Sequence, residues 1–140
     1  MKKIFFFLFD YNLTLKNIRI NGTTITSNDS SVSGFIGHVG GSIDISDVIM
    51  TDTNINTNNS QVGGFIASSA NETSISNVSM LNTNINGENL EIGGFINSAF
   101  PSWVGDGNGG GYEVEHSLSL DNIKVDGLSI NNNATKSETT

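Results

Sequence analysis

The residues best suited to chemistry gather in one stretch of the chain. Between Ser98 and His116 stand three aromatics, Phe100, Trp103 and Tyr112, interleaved with Asp106, Glu113, Glu115 and His116. Aromatic faces are large, rigid contact surfaces, and carboxylates accept hydrogen bonds from hydroxyl groups. Together they could stack against sugar rings and hold their hydroxyls. Phe100, Trp103, Tyr112, Glu113 and Glu115 are therefore the candidate binding residues. The plainer alternative is a folded loop that covers an apolar edge. Asp106-Gly107-Asn108-Gly109 begins like a calcium loop but lacks the spaced downstream ligands of an EF-hand, so no metal is assigned.

Outside this stretch the chemistry is sparse. His38 and His116 are the only histidines, and there is no Cys. Neither a His-Glu-x-x-His metal helix nor a Gly-x-Ser-x-Gly elbow is present. No carboxylate pair is projected from neighbouring repeats in the way that glycoside chemistry would need. The expectation is no catalytic residue set, no cofactor and no enzyme. The alternative is a carbohydrate-active β-helix enzyme or its remnant, which carboxylates clustered on one sheet face would favour. Six Lys and Arg stand against fourteen Asp and Glu, a net charge of −8. That balance argues against nucleic acid, whose phosphates call for a basic surface, and against anionic membrane surfaces; no nucleic-acid partner is expected. No apolar run reaches the ~18–20 residues of a membrane span.

The elements that must position these residues repeat. Phe35, Phe65 and Phe95 are spaced by thirty, each preceded by Gly and followed by Ile. The same period carries Leu15, Ile45 and Ile75, then Ile18, Val48 and Val78, then Ile20, Met50 and Met80, then Ile25, Ile55 and Ile85. Thr23, Thr53 and Thr83 form a further column. A fourth copy, Leu120, Ile123, Val125 and Ile130, is displaced by fifteen extra residues that fall between Phe95 and Leu120. Within each block, apolar residues alternate with polar ones, slipping by one position at Asn17, Asp47, Asn77 or Asn122. Ile, Val and Thr dominate. Both features point to strands. One unit of three or so short strands cannot bury an apolar face alone, whereas units stacked at ~4.8 Å close a continuous core. The predicted fold is all-β: a parallel β-solenoid, a right-handed β-helix of about four thirty-residue coils.

Ser33-Gly34-Phe35-Ile36-Gly37, Gly63-Gly64-Phe65-Ile66-Ala67 and Gly93-Gly94-Phe95-Ile96-Asn97, with the following Ser-Ile-Ser-Asn-Val-Ser at 74–79, resemble the GLUG motif. Phe replaces the usual Leu, and only Gly37 keeps the final Gly. The resemblance spans roughly residues 13 to 130. It implies a place in large secreted or surface-attached microbial proteins, adhesin-like proteins and the non-catalytic regions of IgA-cleaving metallopeptidases among them.

Each column has a structural reading. The Gly pairs serve a tight corner or close backbone approach. Asn17, Asp47, Asn77 and Asn122 sit where the chain turns, since Asn and Asp tolerate left-handed geometry and can stack as amide ladders. The Phe column has two readings. Strict alternation from Val62 points Phe65 outward, as a sugar- or partner-binding stripe; a bulge at the Gly pair turns it inward, as a core ladder.

The organisation expected is therefore an N-terminal cap or signal remnant at 1–12, repeats over 13–130 with an inserted loop at 98–116, and a polar tail at 131–140. Met1-Lys2-Lys3 and the apolar run to Phe9 start like a signal, but the run stops at Asp10 after six residues. The function expected is structural or adhesive, in an extracellular or cell-surface protein whose loops contact glycans or host surface proteins. An accessory segment of a surface metallopeptidase is a further alternative. Open ends expose unpaired strand edges, so end-to-end self-association, or continuation within a longer chain, is expected too.

Overall fold

The computed structural model describes residues 12–100, 102–114 and 116–134, with the backbone alone at 100, 102–104 and 114. The N-terminal stretch 1–11, Pro101, Glu115 and 135–140 of the tail lie outside the described residues.

The described chain is all-β, and the period found in the sequence becomes a period in space. The first unit comprises β1 (Leu13–Asn21), β2 (Thr24–Thr26), β3 (Ser31–Ser33) and β4 (Ile36–Val39). The second has β5 (Ile43–Asn58), β6 (Gln61–Gly63) and β7 (Ile66–Ala70), and the third β8 (Glu72–Glu88), β9 (Glu91–Gly93) and β10 (Ile96–Phe100). A hairpin follows, β11 (Ser102–Gly105) and β12 (Gly111–Val114), and then β13 (Ser117–Asp126) and β14 (Ser129–Asn133). β5 and β8 pair in parallel from Ile43↔Thr73 to Asn58↔Glu88, every partner thirty residues on. β1 and β2 lie on the other side of β5 in the same register. β13 and β14 lie on β8, offset by forty-five. Two further parallel sheets run β3-β6-β9 and β4-β7-β10. Among the described residues only β11 and β12 pair antiparallel.

Each central unit thus has three strands, but the first is long rather than short. β5 and β8 run for 16 and 17 residues because they bend without leaving the ladder. The bends are single left-handed residues: φ is 56° at Asp47 and 55° at Asp52 in β5, and 52° at Asn77 and 54° at Asn82 in β8. One left-handed residue reverses the alternation, so the apolar side stays inward on both sides of the bend. This explains the one-residue slip in the sequence pattern. Asn and Asp adopt that backbone more readily than other residues with a Cβ.

The interior divides in two. One cluster packs Ile45, Val48, Met50, Ile75, Val78 and Met80 against Phe35, Ile36, Phe65 and Ile66 across the stack. The other joins Ile25, Ile55 and Ile85 to Val32, Val62 and Leu90. The Phe column points inward: Phe35 and Phe65 are buried. The rings stack at 4.8 Å between centroids, Phe35 on Phe65 and Phe65 on Phe95. The Gly corner makes this possible. A Cβ on Gly64 would collide with the carbonyl oxygen of Gly94, and one on Gly63 with that of Ile66. Without side chains there, the backbone turns from β6 into β7 and carries Phe65 into the core.

The fourth unit extends to Asn133, so Asn131–133 belong to β14 rather than to the polar tail. Asn132 holds this end in place. Its Oδ1 accepts from the Leu90 N–H, and its Nδ2 donates to the Leu90 carbonyl.

Candidate functional site

The insertion forms a β-hairpin between the third and fourth units. Among the described residues β11 and β12 pair only with each other, setting Trp103 opposite Glu113 and Val104 opposite Tyr112. The turn is built by Asp106. Its Oδ1 accepts from the N–H groups of Asn108 and Gly110, while its own N–H donates to the Gly110 carbonyl. Gly107 and Gly109 supply positive φ values of 79° and 83°. The motif that begins like a calcium loop is thus a backbone turn, with a carboxylate oxygen engaged by its own chain.

The candidate residues are arranged around this hairpin. Tyr112 is 62% exposed, and Glu113 next to it is exposed as well. Because successive residues of a strand face opposite ways, Tyr112 and Glu113 project from opposite faces of β12. Phe100 ends β10, at the foot of the hairpin, and Trp103 lies in β11. Glu115 lies outside the described residues. The hairpin therefore brings Trp103, Tyr112 and Glu113 onto one two-stranded element.

An anchor at its base was not legible in the sequence. His116, where the chain returns from the hairpin, places its Nε2 3.2 Å from Ser69 Oγ on β7. A second pair lies nearby, His38 Nδ1 and Ser68 Oγ at 2.7 Å. Hydroxyl–imidazole pairs are familiar in nucleophilic catalysis. Both hydroxyls here are buried, Ser69 completely; the His38–Ser68 pair joins the first unit to the second, and the Ser69–His116 pair ties the second unit to the chain returning from the hairpin. The signal for His116 was its register: forty-five residues after Asn71, it opens the fourth unit where Asn71 opens the third.

A second surface feature runs along the stack. Asn77 Nδ2 donates to Asp47 Oδ1 at 3.1 Å, and Asn122 Nδ2 donates to Asn77 Oδ1 at 2.9 Å. The ladder forms the floor of a groove edged by Arg19, Ser79 and Lys124. Parallel ladders join Asn82 to Asp52, Asn84 to Asn54, Asn86 to Asn56 and Asn89 to Asn59. A further left-handed column, Gly22, Asp52, Asn82 and Gly127, escaped the sequence reading. Its spacing of 30, 30 and 45 was the available signal, masked by the mixture of Gly with Asp and Asn.

Among the described residues, no three His, Asp or Glu side chains come together in a way that could hold a metal ion. Also among them, no helix is long and apolar enough to cross a membrane. Comparison with protein-family models, with curated proteins and with solved structures finds no match.

Proposed function

We propose that the chain is a short parallel β-solenoid, a right-handed β-helix of about four coils, that serves as a structural and adhesive segment of an extracellular or cell-surface protein. In this reading the coils are a stiff support and the hairpin is the part that touches glycans. The observation that carries the reading is the hairpin itself. It interrupts an otherwise regular stack, pairs with no other strand among the described residues, and holds Tyr112 62% exposed beside an exposed Glu113. Insertions of this kind fall on one face of a repeat stack, often the binding face. A right-handed path is the one that parallel crossovers favour. The resemblance of the Gly-Phe-Ile corners to GLUG repeats agrees with a surface location.

The test is a glycan-array screen of the folded chain beside Trp103→Ala and Tyr112→Ala, with circular dichroism establishing that all three fold alike. Glycan binding by the wild type that falls about tenfold or more in either variant supports the reading, as expected for loss of an aromatic anchor. A folded wild type that binds no glycan, or variants that bind as well as it does, sinks the glycan contact and leaves the stack a spacer.

A further inference from the structure

We infer that the groove along the Asn77 ladder is a binding site for an acidic polysaccharide, a uronate chain lying along the stack with carboxylates on Arg19 and Lys124. The inference rests on the groove alone and is independent of what the hairpin binds.

Positive charge is scarce in this chain, and its placement is uneven. Six Lys and Arg stand among fourteen Asp and Glu, and only Lys16, Arg19 and Lys124 fall within the repeats. Two of those three share one outward column, in which Arg19 pairs with Ile49, Ile49 with Ser79 and Ser79 with Lys124. They stand three layers apart, roughly 14 Å, at opposite ends of a groove of about 480 Å³. That is room for a few sugar rings. Arg19 is exposed, and no acid pairs with it among the described residues. Lys124 lies 3.9 Å from Asp126, with the side chains 63% and 70% exposed, a contact too weak to hold it from a ligand.

The floor is made of groups that bind hydroxyls. Asn17, Asp47, Asn77 and Asn122 are all exposed there. The ladder uses one N–H of Asn77 and one of Asn122, whereas an amide has two N–H donors and two oxygen lone pairs. Each of these amides therefore keeps a donor and an acceptor for a sugar hydroxyl. Ile49, half-buried in the same groove, offers an apolar patch to the C–H face of a ring.

The spacing selects the ligand. The polar groups recur at every layer, ~4.8 Å. A pyranose ring in an extended chain advances by nearly that distance. An extended peptide repeats its facing only every two residues, ~6.6 Å, and falls out of step. A uronate chain with a threefold screw, as in galacturonan, returns a carboxylate to the same side at every third ring, which is the separation of Arg19 from Lys124. Arg grips a carboxylate bidentately, and Lys meets it as a point charge. Asp47 and Asp126 leave the groove without net positive charge, so binding depends on where the two cations stand rather than on a general attraction. The same balance disfavours a sulfated chain, whose denser charge the acids repel.

The test is titration of the folded chain, in calcium-free buffer, with an oligogalacturonate long enough to cross four layers. Amide chemical shifts follow the binding, with a Kd expected at about 0.1–1 mM. Arg19→Gln and Lys124→Gln are each expected to weaken it about three- to tenfold. Lys16→Gln removes the same charge from another column, that of Ser46, Ser76 and Asp121, and is expected to change it by less than about twofold. Asp47→Asn, which matches Asn17, Asn77 and Asn122, removes the carboxylate of the floor and is expected to tighten binding about two- to fivefold. Circular dichroism checks that each variant folds. The fully methyl-esterified oligomer keeps the rings without the charge and is expected not to bind. Groove binding follows Arg19 and Lys124, whereas hairpin binding follows Trp103 and Tyr112, so either can fail alone. A wild type without shifts at about 10 mM oligomer, groove variants that bind like the wild type, an equal loss from Lys16→Gln, or an ester that binds as well overturns the inference. Tighter binding of a heparin oligosaccharide overturns the choice of a uronate.

Discussion

Asn77 combines two separable contributions. Its backbone is left-handed, at φ 52°, and its amide links the ladder on both sides. Asn77→Ala loses both. It is expected to cost about 2 kcal/mol, mostly the left-handed penalty of an ordinary side chain, with a smaller part from the exposed hydrogen bonds. Asn77→Gly keeps the backbone freedom and is expected to cost less than about 1 kcal/mol. Urea unfolding of the two variants separates the contributions; equal losses would show that the backbone argument is wrong. The buried threonines make the opposite case. Thr53 and Thr83 are buried to 1% exposure or less, and among the described residues their hydroxyls have no hydrogen-bond partner. Leu128 occupies the same column in the fourth unit, so the position accepts an apolar side chain. Thr83→Val keeps the β-branched shape and removes an unsatisfied hydroxyl, and is expected to stabilise by about 1 kcal/mol. A lower urea midpoint would contradict this.

At the scale of elements, the hairpin is an addition to a stack that has no need of it. Removing residues 101–115 joins Phe100 to His116 and resets the offset between third and fourth units from forty-five to thirty. Adding His116→Asn matches Asn71, whose φ is 66° where the second unit passes into the third. The excised chain is expected to keep its β-type circular dichroism. Its stability should lie within about 1 kcal/mol of the parent, because loop length contributes only weakly to closure entropy. Glycan binding, if carried by β11 and β12, disappears with them. An excised chain that does not fold would make the hairpin a structural part and remove the argument for display.

For the whole molecule, burial grades from the middle of the stack to its ends, and so should sensitivity to substitution. Met80 is fully buried between neighbouring units, whereas Val125 in the same column is 41% exposed. In dilute solution Met80→Ala is expected to cost about 2–5 kcal/mol and Val125→Ala less than about 1 kcal/mol. Chemical denaturation of both measures the gradient. Equal costs would mean that Val125 is covered even in dilute protein. The three cations within the repeats, Lys16, Arg19 and Lys124, lie in the outer units, leaving the second and third units without a positive side chain.

Much of this was legible in the chain alone, because a thirty-residue repeat imposes one backbone path on equivalent positions. The columns at Phe65 and Met80, the Gly corners and the turn at Asp47 recur for that reason, and each names a local requirement: burial, space, or a left-handed φ. What the sequence left open depended on contacts across the stack. Alternation from Val62 allowed Phe65 to point either way, and the turn from β6 into β7, sterically possible only with glycine, sent it inward. The merging of expected short strands into β5 and β8 followed from left-handed residues that bend the ladder without breaking it. The hairpin took its form from Asp106 gripping its own turn, and its footing from His116 meeting a serine forty-seven residues away. Periodicity lies in the chain itself, whereas the facing of a side chain and the meeting of distant groups arise only when units pack on one another.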